Sequence, residues 1–256
     1  MTTTPFDLRG QVAVISGGNS GIGLAMADAL GAAGADVCVW GRNTERNAAA
    51  QERLARHGGK AAAKTVDVTD RDAIDRAVQE TVDEFGRVDS FFANAGTDTG
   101  YVPFVDRDID DFRALMAINV DGVVMSLQAA ARQMLAQGTG GSLVATASVA
   151  AIHGSPGRQP YAASKAALCA ITRSLAVEYG KKGIRANSIL PGWTETALTE
   201  EGLSTDAAKE KMLPRVPVRR WGAPEDFGGI AVYLASPASA YHTGDTIVID
   251  GGYSVF

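Results

Sequence analysis

The 256 residues are 46% hydrophobic and 21% charged, ordinary globular composition with enough length for one large α/β domain, the organisation expected here, or two small ones. Twenty-four bases against 29 acids leave a formal charge of -5 with no block of like charge, so the electrostatic footprint of a nucleic-acid binder is absent. The start, MTTTPFDLRG, is polar, without a basic flank or cleavage site, and no stretch approaches about 18 consecutive apolar residues, so a soluble, cytoplasmic protein is expected.

From Val12 onward short apolar runs alternate with longer stretches of helical period, the pattern of a doubly wound parallel sheet with crossover helices. Strands are expected at Val12 to Ser16, Asp36 to Trp40, Ala61 to Val66, Val88 to Ala93, Ser142 to Ala147, Ile184 to Leu190 and Thr246 to Asp250. Most are β-branched and lack clean alternation, as strands covered on both faces do.

The first strand runs into Ser16-Gly17-Gly18-Asn19-Ser20-Gly21-Ile22-Gly23 and then a helical run, Leu24 to Ala33. Closely spaced glycines at a strand-to-helix junction let the backbone approach a pyrophosphate, whose charge then lies against free N–H groups at the helix start. The spacing is GxxxGxG, and a tight turn without a ligand looks similar; its place at the first βα junction favours the dinucleotide. The second strand ends in DVCVWGRN. An enzyme selecting NAD carries an acid there for the adenosine ribose 2′-hydroxyl, but this position falls at Gly41 and is followed by Arg42, whose guanidinium suits the 2′-phosphate of NADP. The alternative is a solvated Arg42 paired with Glu45. Ser20 supplies no second basic residue ahead of Gly21, so NAD(H) remains acceptable.

Further on, Ile74, Ala77, Val78, Val82 and Phe85 recur at helical spacing behind Asp70 and Asp72, acids that suit a helix N-terminus. Asn94-Ala95-Gly96 closes the fourth strand, and Asn119 lies mid-helix in ALMAINVDGVV, where an amide is a mediocre helix former. Either asparagine alone reads as well as a local backbone partner. Ser148 ends the fifth strand, where ligands of open α/β sheets bind. Tyr161 and Lys165 follow, four apart on one helix face entered through Pro160. Nearby ammonium charge lowers a phenol's pKa from about 10 toward the range of acid–base work. Six tyrosines and seven lysines give about 0.16 such pairs by chance, so the surrounding residues must decide. After the sixth strand, Trp193 to Val218 interrupts the rhythm as a lid-like insertion, with Gly192 and Gly202 as flexible points and Pro214 and Pro217 limiting regular structure at its far end. A helix beginning at Pro224, with Phe227, Ile230, Ala231 and Leu234 on one stripe, feeds the last strand. Cys38 and Cys169 belong to no CxxC or CxxH cluster and suit buried positions; no metal site is expected.

Taken together, Gly17, Gly21 and Gly23, Asp67-Val68, Asn94-Ala95-Gly96, Asn119, Ser148, Tyr161 with Lys165, Pro191-Gly192 and Asp250-Gly251-Gly252 resemble, in order and over nearly the whole chain, the single-domain short-chain dehydrogenase/reductases. The resemblance implies a Rossmann-type, three-layer α/β/α domain with a seven-stranded parallel sheet and a nicotinamide cofactor. It implies that Tyr161 exchanges a proton with the substrate oxygen while Ser148 holds that oxygen. Lys165 would lower the Tyr161 pKa and hold the nicotinamide ribose, and Asn119 would position a water leading from Lys165 to solvent. It sets the cofactor against Gly17, Asn19, Ser20, Gly21, Ile22, Gly23, Arg42, Asn43, Asp67, Val68, Asn94, Ala95, Gly96, Pro191 and Gly192, with Thr196, or else Thr194, at the carboxamide. Two departures are Ser16, where Thr is commoner, and Thr194, where an aliphatic residue is usual.

The reaction expected is reduction of a small or medium ketone, or oxidation of its alcohol, with NADP(H) preferred. Alternatives are a 3-oxoacyl reductase, disfavoured by the uncharged AQGTGG segment although Lys181 and Lys182 lie in a neighbouring loop, and a catalytically silent dinucleotide sensor, disfavoured by the intact tetrad. A nucleotide-sugar epimerase would need a larger C-terminal domain than the roughly sixty residues after Gly192. Pocket walls are expected from Thr97 to Val102, His153 to Gln159 and the lid, mixing Trp193, Leu198, Leu203 and Met212 with His153, Arg158 and Glu195. The resemblance also implies a homotetramer with interfaces on the helices around Asp111 to Gln137 and Tyr161 to Gly180.

Overall fold

The computed structural model describes residues 4–256; the first three residues of the polar start lie outside them. The apolar runs form seven strands among the described residues: Val12–Ser16 (β1), Asp36–Gly41 (β2), Ala61–Thr65 (β3), Ser90–Ala93 (β4), Gly141–Thr146 (β5), Ile184–Pro191 (β6) and Thr246–Ile249 (β7). They pair in parallel in the order β3-β2-β1-β4-β5-β6-β7. All of β1 and β4 is buried, which is why these segments read as continuous apolar runs.

Helices Gly21–Ala32 (α1), Thr44–Ala55 (α2), Arg71–Phe85 (α3), Ile109–Met116 (α4), Gly122–Gln137 (α5), Gln159–Tyr179 (α6), Glu200–Leu203 (α7), Asp206–Lys211 (α8) and Gly228–Ala235 (α9) complete the layers. On one face Ile74, Val123, Leu127 and Leu168 pack with Phe91 and Leu143; on the other Met26, Leu30, Leu54 and Leu234 pack with Ile15 and Phe92. Adjacent residues of β4 thus feed opposite cores, as a pleated strand requires. The acids ahead of α3 act as expected: Asp70 caps it by accepting from the Ala73 N–H at 3.0 Å, and Asp72 lies in the first turn. Cys38 and Cys169 are buried and unpaired by any disulfide.

Several element ends move for local reasons. The backbone of Val88 is claimed by the Gln137 side chain, at 2.7 and 2.9 Å, so β4 begins two residues late. Asp250 leaves β7 because its carboxylate takes the N–H groups of Gly252 and Ser254. The first helix starts at Gly21, not Leu24, so two of the three motif glycines already lie in its first turn. The Pro224 helix opens as a tight 3-10 turn, Pro224–Phe227, before α9. Between α4 and α5 the helix widens into a π turn, Ala117–Asp121, centred on Asn119. The continuous helical stretch Ile109–Gln137 is, contrary to the composition-based expectation, long and apolar enough to cross a membrane, but half of its apolar window is buried inside the protein, which accounts for that character. Residues 193–218 carry α7, α8 and a 3-10 turn around a small cluster of their own, in which Leu203, Ala208 and Val216 pack with Trp221.

The last two strands are joined by side chain as well as ladder. Fully buried Asn187 donates to the His242 carbonyl at 3.1 Å and accepts from the Asp245 N–H at 3.0 Å. Asn187→Ala leaves both groups unpaired and is expected to lower stability by about 1–3 kcal/mol, read from the urea midpoint at unchanged slope; a loss under about 0.5 kcal/mol would show the bonds to be dispensable.

Candidate active site

Strand order reverses between β1 and β4, and ligands of such sheets bind at the carboxyl ends beside that switch. Here the Ser16 hydroxyl accepts the N–H groups of Asn94 and Ala95 at 3.1 and 3.2 Å, and the Asn94 amide donates to the Gly17 carbonyl at 3.2 Å. Serine at the usual threonine position thus keeps the hydroxyl's task. A Cβ on Gly23 would lie 2.2 Å from the Gly17 oxygen and 2.5 Å from Asn94 Nδ2, so only glycine permits this approach. Gly17 itself has φ +64°. Ser20 precedes α1 without capping it through its side chain, leaving the first N–H groups open toward the cleft. The cradle and the cleft beyond it fit an elongated dinucleotide.

At the β2 end the cleft is lined by Asn19, Gly41, Arg42, Asn43, Arg46, Asp67 and Val68. A Cβ on Gly41 would meet Asn19 Nδ2 at 2.1 Å and Asn47 Oδ1 at 2.7 Å, while these amides bond each other at 2.7 Å and Asn47 donates to the Gly41 carbonyl at 2.9 Å. The position an acid would occupy is therefore filled by two amides. Glu45 does not pair with Arg42, and among the described residues no carboxylate forms an ion pair with Arg42 or Arg46. Asn43 spends its side chain capping α2 on the Arg46 N–H. Thr69, through its N–H and hydroxyl, holds the Asp67 carboxyl below the usual carboxylate range. Arg46 and Asn47 were not singled out from sequence; their position one helical turn past Arg42 and Asn43 was the available signal.

Through Gly17, Ser20, Ala95 and Gly96 this region continues into a second one lined by Ile22, Asn94, Ser148, Tyr161, Lys165, Pro191, Gly192, Thr194 and Thr196. Thr194 is buried and its hydroxyl donates to the Gly192 carbonyl at 3.1 Å, whereas the Thr196 hydroxyl shares a bond with that of Thr199. Ser148 lies two residues past the end of β5, where it caps a 3-10 turn by accepting from the Ala150 N–H at 3.1 Å. Asn119, fully buried, clasps Thr97 by both its N–H and its carbonyl at 2.8 Å, and a Cβ on Gly96 would meet Asn119 Oδ1 at 3.2 Å and Lys165 Nζ at 3.4 Å. Lys165 donates to the Thr146 carbonyl at 2.8 Å and lies 5.5 Å from the centre of the Tyr161 ring. Desolvation lowers the Lys165 pKa to about 8. Burial pushes the Tyr161 phenol up, against a smaller downward pull from the Ser148 hydroxyl; Asp98 adds to the rise and Arg158 opposes it. The shift is the reverse of the lowering expected from Lys165, because burial outweighs the neighbouring groups, and the protein holds Tyr161 as a neutral phenol.

Beyond Tyr161 a pocket opens among Asp98, His153, Arg158, Trp193, Leu198 and Tyr253. Of the walls expected at residues 97–102, 153–159 and the lid, Asp98, His153 to Ser155 with Arg158, and Trp193, Leu198 and Thr199 line it; Tyr253 is an addition from the C-terminal turn. Its ring meets His153 and Trp193 edge-on and lies under Arg215. His153 bonds Ser254 at 2.8 Å, so it is not a free loop residue. No spacing in the sequence links residue 253 to residue 153. Leu203 and Met212 pack in the lid's own cluster instead of the pocket, and Glu195 faces a separate hollow with Glu200 and Trp221.

Residues 17–254 match the family model described as Enoyl-(Acyl carrier protein) reductase. The chain is 35% identical over 249 residues to a 2,5-dichloro-2,5-cyclohexadiene-1,4-diol dehydrogenase of Sphingobium indicum, covering 97% of this chain and 98% of that one. It is 36% identical over 255 residues to a 2-dehydro-3-deoxy-D-gluconate 5-dehydrogenase of Dickeya dadantii, covering 99% of each. Among solved structures, a gluconate 5-dehydrogenase from Burkholderia cenocepacia in complex with NADP and tartrate superposes with a TM-score of 0.93 at 34% identity, covering 98% of both chains.

Lys165 carries a stability cost that can be measured. Its pKa lies below its unfolded value, so the cost is complete below pH 8, shrinks between about pH 8 and 10.5, and vanishes above. Lys165→Met is expected to be more stable than the native protein by about 1–3 kcal/mol at pH 7, with the gap closing as pH rises through that window. Urea titrations at pH 7 and pH 10 check it; a constant or widening gap refutes a desolvated ammonium.

Proposed function

The chain belongs to the short-chain dehydrogenase/reductase family, and on that premise we propose that it interconverts a small or medium ketone and its secondary alcohol, with NADP(H) preferred and Tyr161 as the proton donor and acceptor. NAD(P)-dependent oxidation and reduction at a CH–OH group is the coarser activity that the relatives share. The observation that carries the finer reading is the convergence of Ser148, Tyr161 and Lys165 on one wall of a cleft whose floor is the glycine turn and whose far end carries Arg42 and Arg46.

The nicotinamide dinucleotide supplies or takes the hydride when bound. The glycine turn, Gly17 to Gly23, holds its pyrophosphate, Asp67 and Val68 flank the adenine, and Thr196, with a hydroxyl less committed to backbone than that of Thr194, suits the carboxamide. Arg42 and Arg46 offer charge-assisted bonds to a 2′-phosphate, and the closed Gly41 position leaves no carboxylate to repel it. In reduction, Ser148 donates a hydrogen bond to the substrate oxygen and Tyr161 gives its phenolic proton to it. Lys165 stabilises the phenolate left behind, and Asn119, facing Lys165 across Gly96, positions the water that returns a proton from solvent. Residues 193–218 act as a lid that excludes water.

Tyr161→Phe is expected to lower kcat by about 10²–10⁴-fold while the dinucleotide Kd stays within about threefold, since the phenol is needed for proton transfer alone. Because burial holds Tyr161 protonated, reduction has its acid ready at neutral pH and oxidation must wait for the phenolate; the pH optimum of oxidation lies above that of reduction. Substantial turnover by the phenylalanine variant, or coincident optima, counts against this role.

Cofactor choice is tested with Arg42→Ala combined with Arg46→Ala, because an aspartate at Gly41 would collide with Asn19. The ratio of kcat/KM for NADP(H) to that for NAD(H) is expected to fall by about 10–100-fold. A native preference for NAD(H), or an unmoved ratio, overturns the proposed NADP preference.

A further inference from the structure

Two charged side chains in the outer pocket have no task in the proton relay. Asp98 Oδ2 lies 2.9 Å from Arg158 Nη1, the aspartate side chain is only 9% exposed, and both line the pocket that contains Ser148 and Tyr161. Arg158 immediately precedes α6, three residues before Tyr161, and lines the same pocket. The two charges act on the Tyr161 phenol in opposite senses, Asp98 raising its pKa and Arg158 lowering it, and both share one set of pocket walls with it.

The pair is held by a clamp between loops some fifty residues apart in sequence. Val102 N–H donates to the Gly157 carbonyl at 3.0 Å. Arg107 donates to the same carbonyl at 2.8 Å, to the Gly100 carbonyl at 3.0 Å and to the Thr99 hydroxyl at 3.0 Å. Gly157 has φ +70°, and a Cβ there would lie 2.3 Å from the Tyr101 ring, so the ring sits directly on the glycine. These contacts fix the segments carrying Asp98 and Arg158 before any substrate arrives, as a preformed recognition group requires.

We infer that Asp98 and Arg158 recognise a second hydroxyl beside the reacting carbon, so that the site takes neutral vicinal diols and polyols in preference to simple alcohols or hydroxy acids. The inference rests on the oxidoreductase reading of the same site. A hydroxyl both donates and accepts, so it can donate to the Asp98 carboxylate and accept from the Arg158 guanidinium, each bond strengthened by charge. A substrate carboxylate can accept only; it is drawn to Arg158 and repelled by Asp98 at similar range, and still loses its water. An alkyl group adds no bond to either charge, leaving them with each other and with the Gly100 N–H that Asp98 accepts at 3.3 Å.

The experiment compares kcat/KM for oxidation of cis-cyclohexane-1,2-diol, cyclohexanol and cis-2-hydroxycyclohexanecarboxylate by the native protein, Asp98→Asn and Arg158→Gln, with melting temperature and dinucleotide Kd recorded for each. The native order expected is diol, then alcohol, then hydroxy acid. Either substitution is expected to reduce the preference for diol over cyclohexanol by about 10–100-fold. A purely structural or pKa-setting role lowers both substrates together and leaves that ratio unmoved, which overturns the inference, as does a native preference for the hydroxy acid. In both cases continued oxidation of cyclohexanol leaves the oxidoreductase reading standing. Failure of the native protein to oxidise any of the three overturns both.

Discussion

One hydroxyl at the end of β1 accepts two backbone N–H groups from the turn after β4, and it ties together the two sides of the cleft. The chain must leave these neighbouring strands in different directions, toward α1 on one side and into the Asn94–Gly96 turn on the other, so a crevice opens between them. Left alone, the freed amides of Asn94 and Ala95 would need water or a wandering loop. Ser16 Oγ satisfies both, and the Asn94 side chain returns the favour to the Gly17 carbonyl. The absence of side chains at Gly17 and Gly23 then follows from distance, since a Cβ at either would meet backbone or amide atoms of this same junction.

At the far end of the cleft, selectivity is a matter of volume before it is one of charge. Asn19 and Asn47 occupy the space beside Gly41 and bond each other, so a side chain cannot enter without moving them. Exposed Arg42 and Arg46 share that end of the cleft with the Asp67 carboxylate, on which Arg42 acts.

At the reacting end the same burial that shapes the pocket opposes ionisation of both partners, driving the Tyr161 phenol up and the Lys165 ammonium down. Neighbours decide what remains: the Thr146 carbonyl accepts from Lys165, the Ser148 hydroxyl pulls the phenol's pKa down, and Asp98 and Arg158 act on it in opposite senses. A low-dielectric site of this kind sacrifices folding stability for a responsive proton donor.

The sequence by itself determined the class of fold, because runs such as Val12–Ser16 and the stripe Ile74, Ala77, Val78 obey periodicities that only strands and helices can bury, and it determined the order of motifs that brings the glycine turn, Asn119, Ser148, Tyr161 and Lys165 into one family pattern. It left open what depends on meetings between distant segments. That Gln137 shortens β4 at Val88, that Asn119 sits in a π turn clasping Thr97, and that Asn47 closes the slot at Gly41 are side-chain to backbone contacts with no signature in local spacing. The pairing of Asp98 with Arg158, and the placing of Tyr253 over His153, were likewise decided by the tertiary structure, since a charge or an aromatic ring has a partner only after the sheet has fixed which loops share an end of the molecule.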